Sequence, residues 1–477
     1  MPQVRNAARE KGFAMRPRLC GVLIVLLVLA ACATVPRDAG VADVRQRTAY
    51  DVQLREPANT DDPQLRQLLS GDLDADRAVA IALRNSARFQ VILAGLGIAR
   101  ADLMAASTVP NPVFGYETRW PANPYRPYEF TLAQSLIELV TLPRRRQAGQ
   151  LEFEAAKMRV SAETLRFAAD VRSAYYSHLA ATQSVAMARL ASDAARTSAE
   201  VAVRQHQAGN ITDLDLENEQ AVYEQAKLDL ARTEEQNVLT REALVRIMGV
   251  RDASLTFTMP TDFPPLPARE MTQDEAGALM AARRLDVAIA QREVEVAERS
   301  LGISRATSIG DVVVDVHRSR EPAGEVTTGP GIDVPIPIFN RGQASRARAE
   351  ATLLRRRQML ADIMSRANSE FRSAFAHLTT ARARVEYYRD VVLPRRSRIV
   401  ELTKLEHNSM LVGVYQLLQA RQSEANARRD YIDALRDYWS ARTNLDAVLN
   451  GTSASELETA AGSDERHTGD GDRRGGH

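Results

Sequence analysis

The sequence predicts an α+β membrane protein that is mostly helical, and three observations carry that reading. It contains an internal duplication, long stretches of sevenfold apolar spacing almost free of helix breakers, and four short segments in which apolar and polar residues alternate. With 477 residues and a 45% apolar share, the chain can bury a sizeable core. Its formal net charge of +1 gives no overall pull toward nucleic acid or acidic partners. Arginine runs such as Arg355-Arg356-Arg357 read as solvated helix faces.

The duplication fixes the domain plan. Val171-Arg-Ser-Ala-Tyr-Tyr-Ser-His178-Leu returns as Phe371-Arg-Ser-Ala-Phe-Ala-His377-Leu, and Arg88-Phe-Gln-Val91 returns as Arg284-Leu-Asp-Val287. The segment ending at Met248-Gly249 returns as the one ending at Asn450-Gly451, so the offset stays at about 200 residues. Repeats are therefore expected over 76–250 and 273–451, joined by a linker over 251–272. Each follows one order: helix, two short strands, long helix, turn, long helix.

The helices come from punctuation and period. No Pro lies between Pro143 and Pro260, and Gly149, Gly209 and Gly249 stand where helices should start, turn and stop. A helix over about 150–207 would be about 85 Å long. Met364, Phe371, Leu378, Val385, Val392 and Ile399 recur every seven residues; Leu417, Tyr431, Tyr438 and Leu445 continue such a series, with a gap at Glu424. Leu216, Tyr223, Leu230 and Leu244 keep the same spacing, with a gap at Asn237. Such spacing means antiparallel helices packed as coiled coils. Ala174, Ala181, Ala188, Ala195 and Ala202 leave room for a close neighbour, and Pro394 should kink its helix.

The strands are expected at about 111–120, 127–137, 310–319 and 326–338. In Asp311-Val-Val-Val-Asp-Val-His317, Val312, Val314 and Val316 share one face and polar residues the other. Phe114 and Tyr116, Phe130 and Leu132, and Ile332 and Val334 repeat the pattern, which is the alternation a lipid-facing barrel strand needs. A half-buried sheet in a soluble domain would show the same alternation. Four strands cannot close a barrel, so strands must be shared between subunits; a dimer would supply about 8, with a filled lumen, and a trimer about 12, with a pore.

The N-terminus reads as a targeting signal over 1–31. Basic Arg16-Pro-Arg18 precedes an apolar run over 22–28 and then Leu29-Ala30-Ala31-Cys32; the run is too short to span a bilayer. Translation from Met15 rather than Met1 gives the more usual signal length. The end at Cys32 resembles the lipobox of bacterial lipoproteins, in which that cysteine is lipidated and becomes the first mature residue. The other cysteine, Cys20, lies in the segment to be removed, so neither a disulfide nor a thiolate metal site is expected. Residues 32–75 suit an extended N-terminal segment and 452–477 a disordered tail.

Together these features resemble the outer membrane efflux proteins of the TolC type, particularly their lipidated branch. The residues that carry the likeness are Leu-Ala-Ala-Cys32, the duplicated plan, Pro110-Asn-Pro112, and Asp333-Val-Pro-Ile-Pro-Ile-Phe-Asn-Arg-Gly342 leading from strand to helix. The resemblance implies a homotrimer with a 12-stranded outer-membrane β-barrel and a helical barrel in the periplasm. It also implies a passive exit duct whose partners are a periplasmic adaptor and an inner-membrane transporter. In the family the inter-helix turns meet the adaptor, which makes Gly209, Thr212, Asp213, Leu214, Val412, Gly413 and Val414 docking candidates. Aspartate rings gate some members; Asp213, Asp215, Gln416 and Gln419 hold the corresponding positions, the last two lacking the charge. Phosphate loops, nucleophile elbows and metal-spaced His or Cys clusters are absent, so no enzyme, cofactor or metal is expected. The competing readings are a periplasmic adaptor, which would carry one helical hairpin rather than two, and a structural coiled-coil lipoprotein, which would lack the strand pairs.

Overall fold

The computed structural model describes residues 38–55, 63–69, 71–120, 124–250, 257–307 and 310–452. The expected signal, Cys32 and most of the expected tail lie outside the described residues. Four N-terminal helices come first: α1 (Val41–Thr48), α2 (Pro63–Leu69), α3 (Ala75–Asn85) and α4 (Ala87–Ser107). The first hairpin follows, β1 (Val113–Thr118) and β2 (Tyr128–Ser135), then α5 (Leu136–Gln207) and α6 (Asp213–Met248). The second half runs α7 (Gln273–Arg283), α8 (Leu285–Ala306), β3 (Val313–Arg320), β4 (Val326–Asp333), α9 (Gln343–Tyr387), a π-helical turn (Tyr388–Val392), α10 (Leu393–Asn408) and α11 (Val414–Leu449). The hairpins form one antiparallel sheet in the order β1-β2-β3-β4.

The first long helix is longer than expected. At 72 residues α5 spans about 108 Å and begins at Leu136, not near residue 150. Ser135 caps it by accepting a hydrogen bond from the Glu138 N–H at 3.3 Å, so β2 passes straight into helix and stops short of 137. Pro143 is the eighth residue of α5, past the first turn, and removes one backbone donor from the helix without ending it. Gly149 does not start the helix. It is buried, and a Cβ there would stand 2.8 Å from the Cβ of Ala106, so its role is to let α4 and α5 touch. The N-terminal segment is likewise not wholly extended: α1 docks on α5 through fully buried Val44, with Lys157 forming an ion pair to Asp43.

Two cores lie side by side. One joins α1–α4 to the middle of α5 and the end of α6 around Phe89, Phe167, Leu179 and Leu244. The other joins α7, α9 and α11 around Phe371, Leu378, Tyr438 and Leu445. Tyr176 stacks on Trp439 at 5.2 Å between ring centroids and so couples them. In α9 the sevenfold series is buried at Phe371, Leu378 and Val385, with Ala367, Ala374 and Ala381 between them. Met364 and Ile399 are exposed, contrary to a continuous buried stripe: Met364 precedes the buried stretch that begins at Ala367, and beyond the π turn Val400 is buried in place of Ile399. The gaps are polar contacts: Asn237 accepts from Thr182 at 3.1 Å, and buried Glu424 is paired with Arg428 at 2.9 Å. Of the paired histidines, His178 is buried, 3.2 Å from the Thr240 hydroxyl, and His377 is exposed.

The halves end alike. Gly249 closes α6 against the α3–α4 break, where a Cβ would meet the Asn85 carbonyl oxygen at 2.7 Å; the Asn85 amide donates to the Gly249 carbonyl at 2.6 Å. Gly451 closes the helix after α11 against the α7–α8 break, where the Leu285 N–H donates to the Asn450 carbonyl at 3.0 Å. Pro394 follows the π turn. Having no N–H and a ring that collides with the carbonyl four residues back, it is preceded by the wider turn over Tyr388–Val392, which separates α9 from α10.

Two outcomes follow. Gly149→Val should lower stability by about 1–3 kcal/mol through overpacking against Ala106, and Gly149→Ala by less, in thermal or denaturant melts. Burial, and secondarily the Arg241 charge, pulls the His178 pKa from 6.5 to about 4. Between those values the unfolded chain binds the extra proton, so stability is full above pH 6.5 and falls as pH drops toward 4. Melting of His178→Gln should show a shallower loss over that window.

Candidate functional site

The sheet has two unlike faces. Directly opposed residues in antiparallel strands share a face, and the register places Phe114 beside Leu132, Val316 and Pro330, and Tyr116 beside Phe130, Arg318 and Thr328. Val314 stands between Gln134 and Ile332 on that face. Phe130 stacks on Tyr116 at 5.0 Å and on Phe114 at 6.1 Å, yet Phe114, Tyr116, Leu132, Val316 and Ile332 remain exposed. Val312 and Val334 flank the strands, half-buried and exposed respectively. All nine residues expected to face lipid are thus on or next to one apolar face. The opposite face carries Glu117, Glu129, Asp315, His317 and Asp333 among Thr, Ser and Gly, with Asp315 3.3 Å from His317.

Both sheet edges are open in the single chain. The bond from the Glu321 N–H to the Glu325 carbonyl fixes the alternation: β3 and β4 exchange hydrogen bonds at odd-numbered residues. The backbone groups of Val326, Thr328 and Ile332 therefore point outward from β4. Pro330 also lies at an outward position, where its missing N–H costs the four-stranded sheet of the single chain nothing. The bond from the Arg119 N–H to the Pro127 carbonyl sets the same parity in the first hairpin, leaving Phe114, Tyr116 and Thr118 outward on β1. At 6 and 8 residues the strands are shorter than the roughly 10 expected. Below them, Pro335 packs on Gly310, and Ile336, Ile338 and Phe339 are exposed, Phe339 by 91%.

At the far end the helices make two tips. In the first, Gly209 adopts φ +75° in open space, and Thr212 begins α6 with a capping box. Asp215 is tied back to the Thr212 hydroxyl at 2.7 Å and N–H at 3.1 Å, bonds that hold its carboxyl below the usual range. Asp213 lies 2.6 Å from His206 with its side chain 95% exposed, and Leu214 is exposed beside it. In the second tip Gly413 precedes α11, with half-buried Val412 and Val414 on either side, and the Val412 carbonyl lies 3.1 Å from His407 Nδ1. Tyr415 joins the tips by donating to Gln205 at 3.0 Å. Behind them α5, α6 and α11 enclose a cleft of about 500 Å³ lined by Leu190, Val222, Leu418 and Gln419, with Glu219 and Glu424 as its acids. Gln416 is exposed and folds back toward Gly413.

Sequence reasoning passed over two tip residues. Met410 takes the repeat position of Gly209 and, without being glycine, adopts φ +60°; it is 94% exposed, and Leu411 beside it 76%. A left-handed methionine costs about 1–2 kcal/mol, and the repeat offset alone would have exposed the mismatch. Among the described residues, no cluster of three or more His, Cys, Asp or Glu could hold a metal.

Comparison with known proteins places these features. A sequence model described as outer membrane efflux protein matches residues 79–250 and again residues 278–451. The cobalt-zinc-cadmium resistance protein CzcC of Cupriavidus metallidurans is 23% identical over 398 residues, covering 80% of this chain and 90% of CzcC. Protein CyaE of Bordetella pertussis is 28% identical over 355 residues, 72% of each chain. Among solved structures, the CmeC outer membrane channel of Campylobacter jejuni superposes with a TM-score of 0.69 at 14% identity, covering 88% of this chain and 94% of CmeC. The likeness to CmeC is one of fold, whereas the twice-matched sequence model spans most of both halves: the chain belongs to the outer membrane efflux protein family.

Proposed function

We propose that this chain is the outer-membrane exit duct of a tripartite efflux pump, a passive conduit fed by an inner-membrane transporter through a periplasmic adaptor. The observation that carries the reading is the sheet, apolar on one face, acidic on the other and open at both edges. In lipid an open edge leaves several N–H and C=O groups unpaired at several kcal/mol each, so β4 of one copy pairs with β1 of the next. Three copies give 12 strands and a lumen. The helices support the same assembly: Val91 and Ile98 on α4 and Val222, Leu228, Val238 and Leu239 on α6 are exposed in the single chain and become contacts between copies.

The apolar sheet face then meets lipid, and Glu117, Glu129, Asp315 and Asp333 line the pore. Cys32 carries the lipid anchor. The tips, including Gly209, Thr212, Asp213, Leu214, Val412, Gly413 and Val414, present the adaptor surface, with Met410 and Leu411 as its most prominent apolar contacts. Of the gate positions Asp213, Asp215, Gln416 and Gln419, Asp213 offers the more exposed carboxylate to a ring at the closed end, with His206 beside it, since Asp215 is held by Thr212. A single-hairpin adaptor or a strandless coiled-coil lipoprotein does not account for the two-faced sheet.

In planar bilayers the purified protein should conduct and prefer cations, and Glu117→Gln/Glu129→Gln/Asp315→Asn should shift the reversal potential toward zero; no conductance, or unchanged selectivity, contradicts the acidic lumen. Outer-membrane extracts should contain heat-resistant trimers. Leu214→Asp and Met410→Asp should each reduce efflux and adaptor cross-linking at least several-fold while leaving the trimer band and the conductance intact.

A further inference from the structure

The arginines of the sheet divide between its faces. Arg119, next to the acidic face, is neutralised by Glu117 at 2.9 Å and Glu129 at 3.7 Å. Arg318 and Arg320 stand on the apolar face in register with Phe130 and Tyr128, at the hairpin end of the strands. Arg126 joins them: its Nε donates to Thr118 Oγ1 at 3.0 Å, and its guanidinium lies 3.9 Å from the ring centre of Trp120. Arg320 lies 4.5 Å from the ring centre of Tyr125, which itself packs on the second hairpin turn at Gly324. Among the described residues none of these three guanidinium groups has a carboxylate within ion-pair distance, and Arg126, Arg318, Trp120 and Tyr125 are exposed.

We infer that this face binds the phosphate groups of a lipid headgroup in the leaflet at the hairpin ends. The inference rests on the duct reading, which turns the apolar face toward lipid. Three cations at the hairpin end of one face, two of them held over aromatic rings, suit a phosphate oxygen array through charge-assisted, bidentate hydrogen bonds. The apolar strand residues below them suit acyl chains, and Trp120 and Tyr125 sit at the depth where amphipathic rings favour the membrane interface. An acidic peptide would find the charge but no use for the apolar band. A free anion would find no reason for the cations to be confined to the lipid face.

The test uses full-length protein in detergent whose conductance has first been verified in planar bilayers. Bound lipid is counted by native mass spectrometry during titration with bisphosphorylated lipid A, and separately with lipid A stripped of its phosphates. The wild type should retain the phosphorylated form on the order of tenfold more tightly. Arg126→Gln/Arg318→Gln/Arg320→Gln should lose most of that preference, and Arg119→Gln should keep it. Equal retention of the two lipids by the wild type overturns the inference without reference to any variant. So does an unaltered preference in the triple variant, or displacement by inorganic phosphate at concentrations equal to the lipid. A wild type that does not conduct removes the duct reading and this inference together, whereas a conducting wild type indifferent to the phosphates removes the inference alone.

Discussion

A strand edge in hydrocarbon has nowhere to place its hydrogen bonds except another strand, and this chain has two such edges. On β4 the outward groups belong to Val326, Thr328 and Ile332, and on β1 to Phe114, Tyr116 and Thr118. The same residues carry part of the apolar face, so on the proposed duct reading the edge and the face ask together for pairing with another copy within a bilayer. Nothing in the helical body forces that outcome by itself, although its uncovered apolar stripes agree with it. Long helices alone would suit any coiled-coil lipoprotein.

Duplication gives each half the same problem and nearly the same solution. Gly249 and Gly451 seat the ends of the last helices on the breaks between the short helices, and the Tyr176–Trp439 stack locks the halves into one unit. The two halves differ at their tips. Around the tips Gly209 is matched by strained Met410, and the His206–Asp213 pair by His407 bonded to a backbone carbonyl. Buried Glu424, gripped by two arginines, stands where the coiled-coil series would place an apolar residue.

Much of this was legible in the sequence because periodicity and repetition are collective signals. The valines at 312, 314 and 316 and the aromatics at 114, 116 and 130 fall on one face because a strand has only two. What escaped were features decided by a single contact. Pro143 and Gly149 look like breakers, yet the Ser135 cap starts α5 before them and the Ala106 contact requires Gly149. The buried part of the α9 series begins only after Met364, and beyond the π turn, whose extra residue shifts the period, Val400 rather than Ile399 is buried. Helix α1 forms in a polar stretch because Val44 has a surface on α5 to bury against. Met410 was visible in the turn, but its backbone conformation shows only in three dimensions.

The claim on which the account stands is that β4 of one copy pairs with β1 of another. Cysteine pairs scanned across the two outward edges, one from Thr118 or Tyr116 and one from Thr328 or Ile332, test it directly when oxidised in intact outer membranes. One register should give disulfide-linked dimers and trimers and nothing larger, since three copies close the ring. Chains that stay monomeric at every pairing, or that link only within themselves, would contradict the account.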